Sequence, residues 1–63
     1  MFTIGDCVVN QNTGHIGKVI GYGHQIINGV YMPTLKVLMA EASNSRKRGF
    51  IEEDLHSRWT QWQ

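Results

Sequence analysis

Strand-forming and turn-forming residues alternate along the whole chain at intervals of roughly ten residues, a spacing typical of small all-β barrels and sandwiches. No stretch has the apolar periodicity of a long helix. The chain has 63 residues, of which 41% are hydrophobic, so it is long enough for one small domain over 1–63. We therefore expect a single all-β domain whose core is too small for an enzymatic cleft, and we predict that the protein is not an enzyme.

The strongest local feature is Asn28-Gly29, which is flanked by the apolar pairs Ile26-Ile27 and Val30-Tyr31. Both turn residues tolerate the positive φ angles of a tight hairpin. We expect the second and third strands to pair antiparallel across this turn. The second strand is predicted over 16–24, where frequent glycines favour a strongly bent barrel strand.

The third strand shows period-two alternation that places Leu35, Val37 and Met39 on the core face. Pro33 cannot donate a backbone hydrogen bond, so we expect a bulge or a new start of the strand at this residue. The first strand is predicted at Cys7-Val8-Val9-Asn10, directly after a Gly-Asp turn.

The last third of the chain is predicted to contain an exposed loop over 42–47 and a fourth strand over 48–52 with Phe50 pointing inward. Residues 53–56 are expected to form a single 3-10 turn that leads into a fifth strand over 58–63. This order predicts a five-stranded SH3-like barrel of the Tudor or KOW type. A five-stranded sandwich or an open meander would show nearly the same pattern.

Arg46-Lys47-Arg48 places three cations on one loop and the adjoining strand edge, and Lys18 and Lys36 add to the same side if the second and third strands pair as predicted. Such a patch can contact phosphates or an acidic protein surface. Alternatively, the loop only keeps the protein soluble and protects a sheet edge. Glu52-Glu53-Asp54 lies nearby, and the formal net charge is only +1, so no global attraction to nucleic acid is expected.

Trp59 and Trp62 lie three residues apart, so an extended strand directs them to opposite faces. We expect Trp59 to be buried, because it follows the 3-10 turn onto the barrel, and Trp62 to be exposed. An exposed Trp beside a groove is a typical anchor for a protein partner. The alternative is that this ring closes the end of the barrel or folds back over Phe2.

Motifs for metal binding and catalysis are weak. Four potential metal ligands are scattered without the close pairs of a structural zinc site, namely Cys7, His15, His24 and His56. Asp54, His56 and Ser57 are too close in sequence to align as a hydrolase triad. Gly14-x-x-Gly17-Lys18 lacks the spacing of a phosphate-binding P-loop. We predict no catalytic residues, no metal, no cofactor and no small-molecule substrate.

The longest apolar run, Val37-Leu38-Met39-Ala40, is far shorter than the ~20 residues of a membrane-spanning helix. The first residues show neither the basic nor the apolar segment of a signal peptide. A single cysteine excludes an internal disulfide and fits a reducing compartment. We therefore expect a cytoplasmic protein.

Five segments occur in an order that is shared with a known family. They are Phe2-x-x-Gly5-Asp6-x-Val8-Val9, Thr13-Gly14-x-Ile16-Gly17-Lys18-Val19-Ile20-Gly21, Asn28-Gly29-Val30-Tyr31, Leu35-Lys36-Val37 and Phe50-Ile51-Glu52-Glu53-Asp54-Leu55. Together they resemble the RNA-polymerase-interacting domain of CarD-type regulators and transcription-repair coupling factors. In that family the barrel pairs its edge strand with the polymerase β subunit, so the resemblance implies a non-enzymatic role through strand addition.

The sequence thus leads to two functional hypotheses. The first is a protein-binding module or accessory subunit that docks on a larger complex, such as RNA polymerase, through a sheet edge. Its contacts would be Arg46-Lys47-Arg48, Tyr31 and Trp62. The alternative is a KOW-like nucleic-acid-binding module that uses the cations, including Lys18 and Lys36, beside Tyr22 or Tyr31 as stacking platforms. In size and class the chain is also similar to the small barrel subunits of cyanobacterial photosynthetic electron-transfer complexes.

Overall fold

The computed structural model describes residues 2–40 and 49–62, which form one antiparallel sheet. Its elements are β1 (Cys7–Asn10), β2 (Ile16–Ile27), β3 (Val30–Met39), β4 (Ile51–Leu55), the 3-10 turn η1 (His56–Arg58) and β5 (Trp59–Gln61). The strand order is β4-β3-β2-β1-β5. The predicted all-β class with five strands and one 3-10 turn before the last strand is confirmed. Between the described parts of β4 and β5 no ladder forms, so backbone hydrogen bonds leave the sheet open rather than closed into a barrel.

The core lies on the concave face of this curled sheet. Six hydrophobic side chains are buried there, namely Val8, Val19, Leu35, Val37, Met39 and Trp59. The partly buried Phe2 packs against them. The predicted core-facing set of β3 is confirmed, because Leu35, Val37 and Met39 are all buried while Lys36 between them is exposed.

Side-chain hydrogen bonds join strands that are not neighbours in the sheet. Asn10 at the end of β1 is fully buried, and its Nδ2 donates to Asp54 Oδ2 at 2.9 Å and to Glu52 Oε2 at 3.3 Å in β4. The indole Nε1 of Trp59 donates to the backbone carbonyl of Asp54 at 3.3 Å. These bonds hold the sheet in its curled shape, since β2 and β3 separate β1 from β4.

The hairpin at Asn28-Gly29 has the predicted geometry. Both residues have positive φ angles, 51° and 78°, as a two-residue type I′ turn requires. Ile27 pairs with Val30 directly across the turn, and the antiparallel pairing of β2 with β3 continues back to Gly17 and Met39. The second strand is therefore longer than predicted and ends at Ile27 instead of residue 24.

The bulge lies in β2 and not at Pro33, so the expectation for Pro33 was wrong. Val19 pairs with Val37 and Gly21 pairs with Lys36, which leaves Ile20 as one extra residue. β3 runs without a break through Pro33, which lies opposite His24. Because hydrogen-bonded and non-bonded pairs alternate from the turn, the nitrogen of Pro33 points away from β2, where no donor is required.

The fourth strand and the 3-10 turn both lie about three residues later than predicted, and β5 covers only Trp59–Gln61 of the predicted 58–63. Phe50 is not inward: it is 52% exposed, and its ring meets that of His15 edge-on with centroids 6.0 Å apart. Phe50 stays exposed because it precedes β4 and lies beside His15 at the end of the strand, outside the buried cluster. The core-side positions within β4 hold Glu52 and Asp54, opposite Val37 and Leu35, where they bind the Asn10 amide. The predicted loop over 42–47 lies outside the described residues.

Candidate functional site

The two tryptophans are divided between core and surface as predicted. Trp59 is 3% exposed, whereas Trp62 is 49% exposed. The Trp62 backbone N–H donates to the carbonyl of Cys7 at 2.9 Å, which continues the β1–β5 pairing by one residue beyond β5. Trp62 therefore stands beside Cys7 on the convex, outer face of the sheet.

A row of mostly apolar side chains crosses this outer face from one edge of the sheet to the other. Cys7 pairs with Lys18, Lys18 with Leu38, and Leu38 with Ile51. We call the row formed by these residues and the neighbouring tryptophan the outer row: Trp62, Cys7, Lys18, Leu38 and Ile51. All five side chains are exposed, although the solvent face of an antiparallel sheet is usually polar.

A shallow groove of about 250 Å³ lies along the middle of the outer row. Its lining includes Cys7, the stem of Lys18 and Leu38, together with Ile16 and Ala40 from the adjoining strand ends. Contiguous exposed apolar surface of this kind is typical of protein-binding sites. Sequence analysis singled out Trp62 but missed Leu38 and Ile51, because only the strand register shows that the three lie in one line.

The second exposed surface is the distal part of the β2–β3 hairpin, residues 22–33, which we call the arm. Backbone hydrogen bonds from the segment around β1 reach along β2 only as far as Val19. On the other side, the pairing of β4 with β3 ends at Thr34. Within the described residues the arm is thus a two-stranded ribbon without a third strand on either side. Most of its side chains are exposed, among them Tyr22, Ile26, Ile27, Val30 and Tyr31.

Tyr31 and Trp62, which the sequence assigned to one partner-binding set, lie far apart. Tyr31 is seven positions along β3 from Leu38 of the outer row, which corresponds to roughly 23 Å. Its ring stacks on that of His24 with centroids 5.1 Å apart and an interplanar angle of 14°. The single predicted site is therefore divided between two surfaces, and Arg46-Lys47-Arg48 lies outside the described residues.

The residues of the nucleic-acid alternative lie on opposite faces of the sheet. Lys18 and Lys36 are exposed on the outer face, as predicted for a common side. Tyr22 pairs with the buried Leu35, so it lies on the core-side face, where its hydroxyl donates to the carbonyl of Phe2 at 2.8 Å. Lys36 also lies directly across from Glu53 in β4. These cations and the stacking ring thus do not combine into one binding surface.

An aromatic groove of about 410 Å³ lies where the arm leaves the body of the sheet. It is lined by Tyr22, Tyr31, Pro33 and His56, with Gly23 and Thr34 at its base. The ring of His56 also packs on Phe2, with centroids 5.1 Å apart. Because the lining residues come from three separate elements, β2, β3 and η1, no local sequence pattern indicates the groove.

The carboxylates of β4 are occupied by bonds within the protein. Glu52 accepts hydrogen bonds from Asn10 and from the Thr13 hydroxyl, and its Oε1 lies 2.8 Å from Nδ1 of the half-exposed His15. In residues 2–40 and 49–62, every buried polar side-chain atom has a partner, and no three potential metal ligands come together. The cluster therefore serves to connect β1, β4 and the loop between β1 and β2.

In the part of the chain that the structure describes, no helix combines the length and the apolar character needed to cross a membrane. Comparisons with known protein families, with curated proteins and with solved structures found no significant match.

Proposed function

We propose that this chain is a non-enzymatic protein-binding module that docks on a larger complex through the outer row and the adjoining edge of β5. The observation that carries the proposal is the alignment of the half-exposed Trp62 with Leu38 and Ile51 across the full width of the sheet. Trp is among the residues most enriched at binding hot spots, and here it borders a mostly apolar row.

The edge beside Trp62 suits the addition of a partner strand. β5 pairs with β1 on one side only, so the backbone groups on its other side have no ladder within the described residues. A partner strand placed there would gain main-chain hydrogen bonds while its side chains contact the outer row. The partner surface that fits this site is mostly apolar, with an acidic group facing the exposed Lys18.

RNA polymerase is the first partner to test, because the sequence resembles polymerase-interacting domains. Purified bacterial polymerase is titrated onto the immobilised protein, and Trp62→Ala is compared with Tyr31→Ala as the matched control, since both rings are exposed. Trp62→Ala should weaken binding about 30-fold, as expected for a hot-spot residue worth ~2 kcal/mol, while Tyr31→Ala should not. Equal loss in both variants would contradict the outer row as the docking surface.

The contribution of the basic loop is measured with Arg46, Lys47 and Arg48 all replaced by Ser. Surface changes of this kind are usually within about ±0.5 kcal/mol each, so the fold should persist while partner binding weakens. Unchanged binding would assign the loop to solubility alone. Capture that disappears steeply with salt and with nuclease treatment would instead favour the nucleic-acid alternative.

A further inference from the structure

Among residues 2–40 and 49–62, nothing pairs with the backbone groups along one edge of the arm, and these groups recur in a regular pattern. Ile27 and Val30 close the turn as a hydrogen-bonded pair, and bonded and non-bonded pairs then alternate along the ribbon. The N–H and C=O groups of Gln25 and Ile27 therefore point toward β3. Those of Tyr22, His24 and Ile26 point outward from the free edge of β2.

The two edges of the arm differ in how they are protected. On the β3 edge, Pro33 occupies a position whose nitrogen points outward, and a proline there blocks the addition of another strand. The β2 edge has no proline. The sequence from 20 to 33 also contains no Asp, Glu, Lys or Arg, the residues that normally protect an exposed edge.

We propose that the free β2 edge of the arm pairs antiparallel with the same edge of a second copy of this chain. Antiparallel pairing of a strand with itself obeys two-fold symmetry, so the interface closes after two copies. The two ribbons would form one four-stranded sheet. This surface is separate from the outer row, so the proposal is independent of the proposed docking function.

The side chains of the arm fit a second copy. Tyr22, His24 and Ile26 alternate along one face of β2, and antiparallel pairing about His24 places Tyr22 opposite Ile26 of the other copy. Such aromatic–aliphatic cross-strand pairs stabilise sheets. The arm contains no Asp, Glu, Lys or Arg, so the symmetric pairing opposes no carboxylates, ammonium groups or guanidinium groups. An isolated two-stranded ribbon is marginally stable, and symmetric pairing supplies additional strands to both copies at once.

The test is sedimentation velocity of the full chain over a wide concentration range, with two substitutions at one position. His24→Pro removes an N–H that points outward but leaves the bonds between β2 and β3 intact, because His24 lies in a non-bonded pair with Pro33. His24→Thr retains this N–H and removes only the imidazole. We expect the parent and His24→Thr to dimerise, and the dimerisation of His24→Pro to be weakened at least about tenfold.

Hydrogen exchange of the unmodified protein provides a second measurement. The amides of Tyr22, His24 and Ile26 should exchange more slowly as the concentration rises, whereas those of Gln25 and Ile27 should not change, because they already bond to β3. A parent chain that stays monomeric, a His24→Pro variant that dimerises like the parent, or exchange at the three outward amides that is independent of concentration would each overturn the proposal.

Discussion

The side-chain amide of Asn10 lies 2.9 Å from a carboxylate oxygen of Asp54 and joins β1 to β4 across the concave face of the sheet. Oδ1 of the same side chain accepts hydrogen bonds from two backbone N–H groups, that of Asn12 at 2.7 Å and that of Thr13 at 3.1 Å. One buried amide therefore shapes the loop after β1 and connects β1 to β4, which are not neighbours in the sheet.

Asn10→Ala should lower the free energy of unfolding by about 1–3 kcal/mol, because two partly buried carboxylates each lose one hydrogen bond and two loop amides lose their acceptor. This is a large fraction of the stability of a domain of this size. Urea unfolding followed by Trp59 and Trp62 fluorescence measures the change. Asn12→Ala, in the exposed neighbour, is the control, and equal midpoints for the two variants would contradict the structural role of the amide.

The glycines of β2 should respond differently to the same substitution. A Cβ atom at Gly17 would overlap the carbonyl oxygen of Leu38 and lie 2.8 Å from Cγ1 of Val37. We expect Gly17→Ala to cost about 1–3 kcal/mol of stability, as overpacking against backbone usually does. At Gly21 the nearest atom is the flexible Cδ of Lys36 at 3.7 Å, so Gly21→Ala should be neutral or stabilising by up to ~1 kcal/mol. Thermal unfolding of the two variants provides the comparison.

Gly29→Val tests the type I′ turn of the arm. No atom lies within 4 Å of a Cβ built at Gly29, so any loss of stability comes from forcing a β-branched residue to a φ near 78°. The expected cost is ~1–3 kcal/mol. Asn28→Gly retains a residue that tolerates positive φ and should change stability far less. Melting temperatures within a couple of degrees for Gly29→Val and the parent would contradict the turn geometry.

Truncation of the two tryptophans should separate folding from binding. Trp59→Ala removes the largest buried side chain and should cost about 3–5 kcal/mol, enough to unfold most of the population. Trp62→Ala should fold normally and bind its partner less well. In single-Trp variants with Phe at the other position, iodide should quench Trp62 and leave Trp59 largely protected. Equal quenching of both would show that the end of the chain is not held against β1.

Local sequence patterns predicted those parts of the fold that depend on local chemistry. The Asn28-Gly29 turn follows from φ preferences, and the burial of Leu35, Val37 and Met39 follows from strict alternation in β3. The alternation of apolar and polar residues in β2 predicts burial less well. The extra residue Ile20 shifts the positions that face the core from odd to even residue numbers. No pattern within a single strand indicates such a shift.

The errors arose where contacts over long sequence distances decide the structure. Phe50 was expected to be inward, but it precedes β4 and stays exposed. The core-side positions within β4 hold Glu52 and Asp54, which bind Asn10, 42 and 44 residues away in the chain. The outer row likewise depends on three strand registers at once. Neither arrangement can be derived from composition or periodicity. The contacts of Asn10 depend on how the sheet curls, and the outer row depends on how neighbouring strands align.

The bulge at Ile20 has a consequence for how the two surfaces are presented. A bulge bends its strand and increases the local twist, so a residue without a cross-strand partner sets the direction in which the arm leaves the body of the sheet. Removal of Ile20 would keep the pairs on both sides of it and would straighten β2. The outer row and the arm would then each remain intact but stand at a different angle to one another. In an assembly that uses both surfaces, the number of residues in β2 would set the angle between the two bound partners.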